Sequence, residues 1–373
     1  MVSRLLLSNR VNYWTGSECR EFEREFAEFS GTDYAVAVAN GTVALDLALK
    51  ALGIGAGDEV IVTSRTFLAS VTCIVNAGAW PVFADVDADF QGISAETVAP
   101  LINDKTKAII AVHLAGWPCG MDGLNELACS HGLSVIEDCA QAHGATYRGK
   151  PVGSLGHVAA WSFCQDKIMT TGGEGGMVTT NDRQLWSRMW SYKDHGKSWE
   201  AIYEREHPPG FRWLHESFGT NWRMTEMQAA IGRIQLRRMP DWTKHRRANC
   251  EAIWRTAREC QGLRVPHLPE YIGHGGYKCY VFVEPATLKS GWNRDRVMAE
   301  IVSAGVPCFS GSCSEVYFEK AIQDAGMAPA ERLPVASELG ETSLMFLVHP
   351  TLTADEIKLT CKVLARVMEE ATA

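Results

Sequence analysis

Residues 107–140 read KAIIAVHLAGWPCGMDGLNELACSHGLSVIEDCA. An apolar run at 107–116 is followed by helical spacing from Gly123 to His131. A second apolar run, LSVI, closes on the acidic pair Glu137–Asp138. Short apolar runs bounded by glycine predict buried strands, and a helix between two of them predicts a parallel pair with a crossover. The alternation continues in both directions. Upstream lie AVAVA (35–39), a helical pattern from Val43 to Leu52 ended by Gly53 and Gly55, EVIVTS (59–64) and PVFADV (81–86); downstream lie HVAAWSF (157–163) and GGMVTTND (175–182). The expected fold is α/β, a mostly parallel sheet sandwiched by helices.

From Glu226 the pattern turns helical, MQAAIGRIQLRRM and then TKHRRANCEAIWRTAREC, with Pro240 between the two segments. That proline is expected to bend or separate two helices. Shorter strands, KCYVFVEP (278–285) and SLMFLVHP (343–350), follow, with a last helix after Thr353. These changes divide the chain into a large α/β domain, 1–240, and a smaller C-terminal α+β domain, 241–373.

A net charge of -8 argues against a nucleic-acid surface. The longest basic run, Lys244-His245-Arg246-Arg247, is expected on the wet face of a helix. Twelve cysteines form no CxxC pair, and Cys73, Cys139 and Cys361 sit in apolar contexts, as free buried thiols do. The opening MVSRLLLSNR has too short an apolar run for a signal peptide, and no window approaches a membrane span. A cytoplasmic protein is expected. No HxxxH, HExxH or Cys/His cluster supports a metal site, and no GxSxG supports a serine hydrolase.

The stretch SFCQDKIMTTGGEGG (162–176) places Lys167 before a glycine-dense turn, about thirty residues after Asp138. An amine able to form a Schiff base, a carboxylate at a strand end and small hydroxyl residues are what pyridoxal 5′-phosphate (PLP) requires. Asp138 could equally be a capped or salt-bridged strand end. Asn40-Gly41-Thr42, between a strand and a helix, is a candidate phosphate site; the competing reading is a plain helix cap. Gln141 can offer an amide to a cofactor oxygen; for His143 beside it the competing reading is packing alone. Phe67 could stack on a flat ring or belong to the core.

Six segments resemble, in order, the DegT/DnrJ/EryC1/StrS family of PLP-dependent nucleotide-sugar aminotransferases. They are NGTVALDLAL (40–49), GAWPVFADVD (78–87), KTKAIIAVHLAGWPCGMD (105–122), VIEDCAQAHGA (135–145), the stretch around Lys167, and GTNWRMTEMQAAIGRIQL (219–236). The resemblance implies the fold-type I PLP-dependent transferase architecture and a homodimer with shared active sites. It assigns Lys167 the Schiff base, Asp138 the pyridinium nitrogen, Gln141 the ring hydroxyl and Phe67 the ring face. The phosphate falls to Gly41, Thr42, Ser162 and Asn221 of the partner subunit, and Arg223 is placed near the substrate diphosphate. Asn221, which follows a long polar loop (195–220), could otherwise be an ordinary helix cap.

Where many relatives carry an aromatic-Pro-Leu-His segment, this chain reads CFSGSCSEVYFEKA (308–321), so Ser310 and Ser312 become the candidate sugar contacts. The implied reaction moves an amino group from L-glutamate to the keto carbon of a nucleotide-linked keto-deoxysugar. NYWTG, FCQDKIMTTGG and FSGSCSEVY are similar to a subgroup acting on dTDP-4-keto-6-deoxyglucose, and the product would serve amino-sugar or surface polysaccharide biosynthesis. The rival readings are a sugar dehydratase of the same family, which carries histidine in place of the lysine, and a PLP-binding regulatory homologue without turnover.

Overall fold

The computed structural model describes residues 1–372 apart from positions 208 and 211. Strands from the first half of the chain are β1 (Tyr34–Val38), β2 (Glu59–Thr63), β3 (Trp80–Ala84), β4 (Thr106–Val112) and β5 (Ser134–Asp138). The short β6 (Thr146–Tyr147) and β7 (Lys150–Pro151) follow, then β8 (Val158–Ser162) and β9 (Gly176–Thr180). Later come β10 (Leu263–Arg264), β11 (Ile272–Gly273), β12 (Lys278–Val283), β13 (Cys308–Phe309) and β14 (Ser343–Leu347).

The large sheet has the order β1-β9-β8-β5-β4-β2-β3. Its pairs are parallel from β3 through β8, whereas β9 runs antiparallel to both β8 and β1. Residues 163–175, between β8 and β9, form turns and bends. Without a helix-sized crossover the chain can only fold back as a hairpin, so β9 is reversed. That reversal leaves Lys167 at the edge where β8 ends.

Both faces of the sheet are covered, which is why its strands read as continuous apolar runs. Val60, Val62, Ile110, Ile136 and Val158 pack with Ala44, Leu45 and Ala48 of helix Gly41–Ala51. On the opposite face Ile61, Ile109 and Val135 meet Leu124 and Ala128 of helix Met121–His131, and Trp161 meets Phe22 and Phe26 of helix Glu18–Ser30. A second sheet, β10-β12-β14-β13, is antiparallel throughout. Its Val281 and Phe346 pack with Ile253, Val297 and Leu364 from three helices. The later chain also reaches back. β11 pairs with β6, and Val316, Tyr317 and Ile322 enter the core of the large sheet.

Pro240 stands in the first turn of helix Met239–Glu259, where its missing N–H costs nothing, and the break from helix Glu226–Leu236 falls at Arg237 and Arg238. The basic run departs from expectation. Lys244, His245 and Arg247 are exposed, but Arg246 is buried and its Nη1 donates to the Gly276 carbonyl at 3.1 Å. Arg246 lies on the helix face of Thr243, Cys250 and Ile253, which is the face turned to the protein. All twelve cysteines are free; Cys73 and Cys139 are buried and Cys361 is half-buried. No helix among the described residues is long and apolar enough to cross a membrane.

Glu137 locks the centre of this fold. Its buried carboxylate accepts the backbone N–H of Gly153 (2.9 Å), Leu155 (2.8 Å) and Gly156 (2.7 Å), and pairs with His113 Nε2 at 2.9 Å. The Cys119 N–H donates to His113 Nδ1, so the imidazole proton sits on Nε2 and points at the carboxylate. Burial pushes the Glu137 carboxyl up, but His113 and the N–H groups of Gly153 and Gly156 outweigh it and hold the group below its ordinary range. This contribution is therefore complete above the ordinary carboxylate range and is lost as the pH falls through the depressed one. Glu137→Ala strands four donors at once and should lower the unfolding free energy by about 4 kcal/mol, whereas Glu137→Gln, which keeps an acceptor, should cost less. Urea denaturation of the two variants checks the order.

Candidate active site

Strands β1, β2, β4, β5 and β8 point the same way and end at one edge of the sheet, the edge where open α/β sheets hold ligands. Gly41 and Thr42 follow β1, Phe67 follows β2, Asp138 ends β5 with Gln141 just beyond, and Ser162 ends β8 with Lys167 in the next turn. Asn40 caps helix Gly41–Ala51 by accepting the Val43 N–H at 3.0 Å, so the cap reading holds for this residue. The capped helix end still presents its first N–H groups and positive dipole at this edge. It also presses on β8: a Cβ on Gly41 would come within 2.5 Å of the Ser162 Cβ. Ser162 Oγ accepts the Cys164 N–H at 3.4 Å, which leaves its own proton to donate.

Asp138 is buried. Its Oδ2 accepts the Ser70 hydroxyl at 2.8 Å and its Oδ1 the Ala140 N–H at 3.1 Å; Ser70 in turn meets Thr66 at 2.9 Å. Burial raises the Asp138 carboxyl, against the opposing pull of Ser70, Ala140 and the Lys167 charge. No salt bridge within the chain neutralises Asp138 among the described residues. His143 is wholly buried beside Trp161 and Phe163, and burial followed by the Lys167 and Arg246 charges lowers it to about 3, against the pull of the Ser162 backbone. Phe67 is 69% exposed, which removes it from the core. Gln141 Oε1 accepts the Ala115 N–H at 2.9 Å, so the Nε2 end is the donor left to the site.

Lys167 Nζ lies 3.5 Å from Asp166 Oδ2, and that oxygen accepts the Tyr277 hydroxyl at 2.9 Å. The 308–321 segment is brought to the same edge. Thr66 N–H donates to the Cys313 carbonyl at 3.1 Å, and Ser312 N–H donates to the Tyr280 hydroxyl at 2.9 Å, while Ser310 is exposed. Asn221 is exposed and does not cap the following helix, because Thr225 and Gln228 form that capping box. Positions 208 and 211 of the loop before it lie outside the described residues. Arg223 is held within the chain. Its Nη1 is ion-paired to buried Asp194, which also holds Lys197 Nζ at 3.0 Å and Trp14 Nε1 at 2.7 Å. The Arg223 backbone bridges Val38 at the end of β1, so the guanidinium stands beside the strand edge with one nitrogen committed to Asp194.

The sequence matches the profile of the DegT/DnrJ/EryC1/StrS aminotransferase family over residues 1–365. This chain belongs to that family. It is 46% identical over 232 residues to GDP-perosamine synthase of Escherichia coli O157:H7, a match covering 62% of this chain and 61% of that protein. It is 42% identical over 247 residues to dTDP-3-amino-3,4,6-trideoxy-alpha-D-glucose transaminase of Streptomyces venezuelae, covering 66% and 62%. The fold superposes on the X-ray structure of the aminotransferase from Psychrobacter cryohalolentis with a TM-score of 0.97 and 63% identity, over 99% of this chain and 95% of that one. Aminotransferases of the DegT/DnrJ/EryC1/StrS family depend on PLP.

The site's own chemistry fits that cofactor. A buried carboxylate with no salt bridge among the described residues, an outward aromatic ring and a helix N-terminus stand along one edge. Ser70, Thr66, Asp166 and Tyr277 escaped the sequence reading. Ser70 and Thr66 bracket Phe67 and could have been suspected as hydroxyls beside a strand end; Tyr277 lies over a hundred residues from its partner and gave no signal. His113, Glu137 and Cys139 bring ligand-type atoms within 4.8 Å of one another. Their polar atoms are committed to the lock around Glu137, and burial pushes the Cys139 thiol up to about 12.

Because the folded Asp138 carboxyl is raised, its ionised form weakens the cofactor-free protein as pH rises through its range. Asp138→Asn should therefore change cofactor-free stability by less than about 1 kcal/mol, since an amide can still serve Ser70 and Ala140. The stabilisation gained on adding PLP should shrink at the same time. Thermal melts of both proteins with and without PLP check this pair of outcomes.

Proposed function

We propose that this chain is a PLP-dependent aminotransferase that moves an amino group from L-glutamate to the keto carbon of a nucleotide-linked keto-deoxysugar. The observation that carries the reading is the placement, at one edge, of Asp138 at the end of β5 and of Lys167 in the turn after its neighbour β8. β5 and β8 are paired there through Asp138 and Ala160, beside the helix end packed on Ser162. PLP supplies an aldehyde carbon for an amine and a ring that stabilises negative charge at the reacting carbon. In this reading Lys167 is the amine that anchors the cofactor and the base that carries the proton. Asp138 faces the pyridine nitrogen and keeps it protonated, Phe67 covers the ring, and Gln141 Nε2 donates to the ring oxygen. Gly41, Thr42 and Ser162 hold the phosphate, with Asn221 of the partner subunit. Arg223, held at one nitrogen by Asp194, is kept near the substrate diphosphate.

The sugar side falls to Ser310 and Ser312, supported by the contact of that segment with Thr66. We read the substrate as dTDP-4-keto-6-deoxyglucose, and the named relatives point both to a dTDP and to a GDP sugar. The division into domains 1–240 and 241–373 is kept as part of this proposal, with Val316 to Ile322 packed into the first core. So is a cytoplasmic setting.

Borohydride reduction of the PLP-loaded protein should fix the cofactor on the peptide holding Lys167, and Lys167→Ala should lose turnover. Label on another lysine would move the site. Asp138→Asn should lower the catalytic rate at least about a hundredfold, on the order of 3 kcal/mol. A panel of dTDP-, GDP- and UDP-linked keto-sugars with glutamate, read by product mass, identifies the acceptor; no amination across the panel would overturn the reading.

A shared site makes a further demand. In mixed dimers of Lys167→Ala and Asn221→Ala, one pocket carries both lesions and the other neither. Activity should partly return after subunit exchange. Exchange without recovery would place Asn221 in its own subunit's site.

A further inference from the structure

We infer that Asp166 and Tyr277 form a positioning pair for the Lys167 nitrogen, with Asp166 facing the positive charge it carries both free and when joined to the cofactor. The inference rests on the assignment of Lys167 made above and adds to it a positioning pair. Nζ lies 3.5 Å from Asp166 Oδ2 and 5.6 Å from the centroid of the Tyr277 ring, so carboxylate and π-face receive the same cation. The Tyr277 hydroxyl donates to that oxygen at 2.9 Å.

Tyr277 is itself fixed. Its N–H donates to the Ala115 carbonyl at 3.0 Å, and Gly275 N–H donates to the Gly116 carbonyl at 2.7 Å. Gly116 has φ +95°, and a Cβ there would lie 2.9 Å from Gly276 N, so this contact between the two parts of the chain tolerates only glycine. Asp166 is half-exposed, yet it is held on one oxygen by a buried residue that cannot swing away.

The charges around Nζ explain the need for the pair. Lys278, whose Nζ lies 4.8 Å from the Tyr277 ring centroid, and Arg246 are the cations near Lys167, His143 is neutral, and Asp138 and Asp166 are the carboxylates that answer them. Asp138 is spent on Ser70 and Ala140 and, in the proposed function, on the pyridine nitrogen. Asp166 is then the anion left for a protonated lysine.

The test uses the PLP-loaded protein. The pH midpoint of its visible absorption reports how easily the nitrogen joining Lys167 to the cofactor loses its proton. Asp166→Asn should move that midpoint down by about one pH unit, the low end for removing a facing charge because Asp166 is partly solvated. Asp166→Glu, which keeps the charge, should restore most of it. A second arm needs no cofactor: acylation of Lys167 in the full-length cofactor-free protein, followed by peptide mass, should run several-fold faster in Asp166→Asn near neutral pH. An unmoved midpoint together with unchanged labelling overturns the inference while leaving the assignment of Lys167 intact. Borohydride label on a lysine other than Lys167 overturns that assignment, and the inference with it.

Discussion

Two buried carboxylates stand next to each other at the end of β5, and the organisation of the site follows from how each is satisfied. Neighbouring residues on a strand face opposite sides of the sheet, so Glu137 and Asp138 cannot share partners. Glu137 is answered by three backbone N–H groups and a histidine, which ties the turn 153–156 to the sheet centre and orients the start of β8. Among the described residues Asp138 receives only a hydroxyl and one N–H, and burial raises it. One carboxylate is a finished structural tie. The other keeps unspent charge, which is what a cationic ring nitrogen needs opposite it.

The reversal of β9 has a comparable consequence. A crossover after β8 would have carried the chain to the far end of the sheet before the next strand began. The hairpin instead leaves residues 163–175, with Lys167, hanging over the edge where β1, β2, β4 and β5 also end. Loop 274–277 then docks on Ala115 and Gly116 at the same edge and brings in Tyr277. Residues far apart in sequence thus meet because the strands share a direction, not because any one segment is shaped for a ligand.

Charges that look alike in sequence have different fates. Arg223 stands in GTNWRMTE and Arg246 in a basic run, and both turn inward: one onto Asp194, the other onto the Gly276 carbonyl. For a long amphipathic side chain, burial is decided by which acceptor waits within reach. Asn221 shows the converse. It precedes a helix, where a cap is expected, but Thr225 takes that role and leaves Asn221 outward.

The sequence by itself determined the strand–helix alternation, the mostly parallel sheet and the placement of Asp138, Lys167, Gly41 and Phe67 at strand ends, because hydrophobic periodicity and glycine breaks are local signals. Its family resemblance was legible for the same reason, since the matching segments are contiguous. What only the tertiary structure decided was partnership: Ser70 and Thr66 beneath Asp138, Tyr277 on Asp166, Asp194 capturing Arg223, and Glu137 saturated while its neighbour is not. Hydrogen bonds and ion pairs are short-ranged and directional, so they depend on distances between segments that no linear pattern encodes.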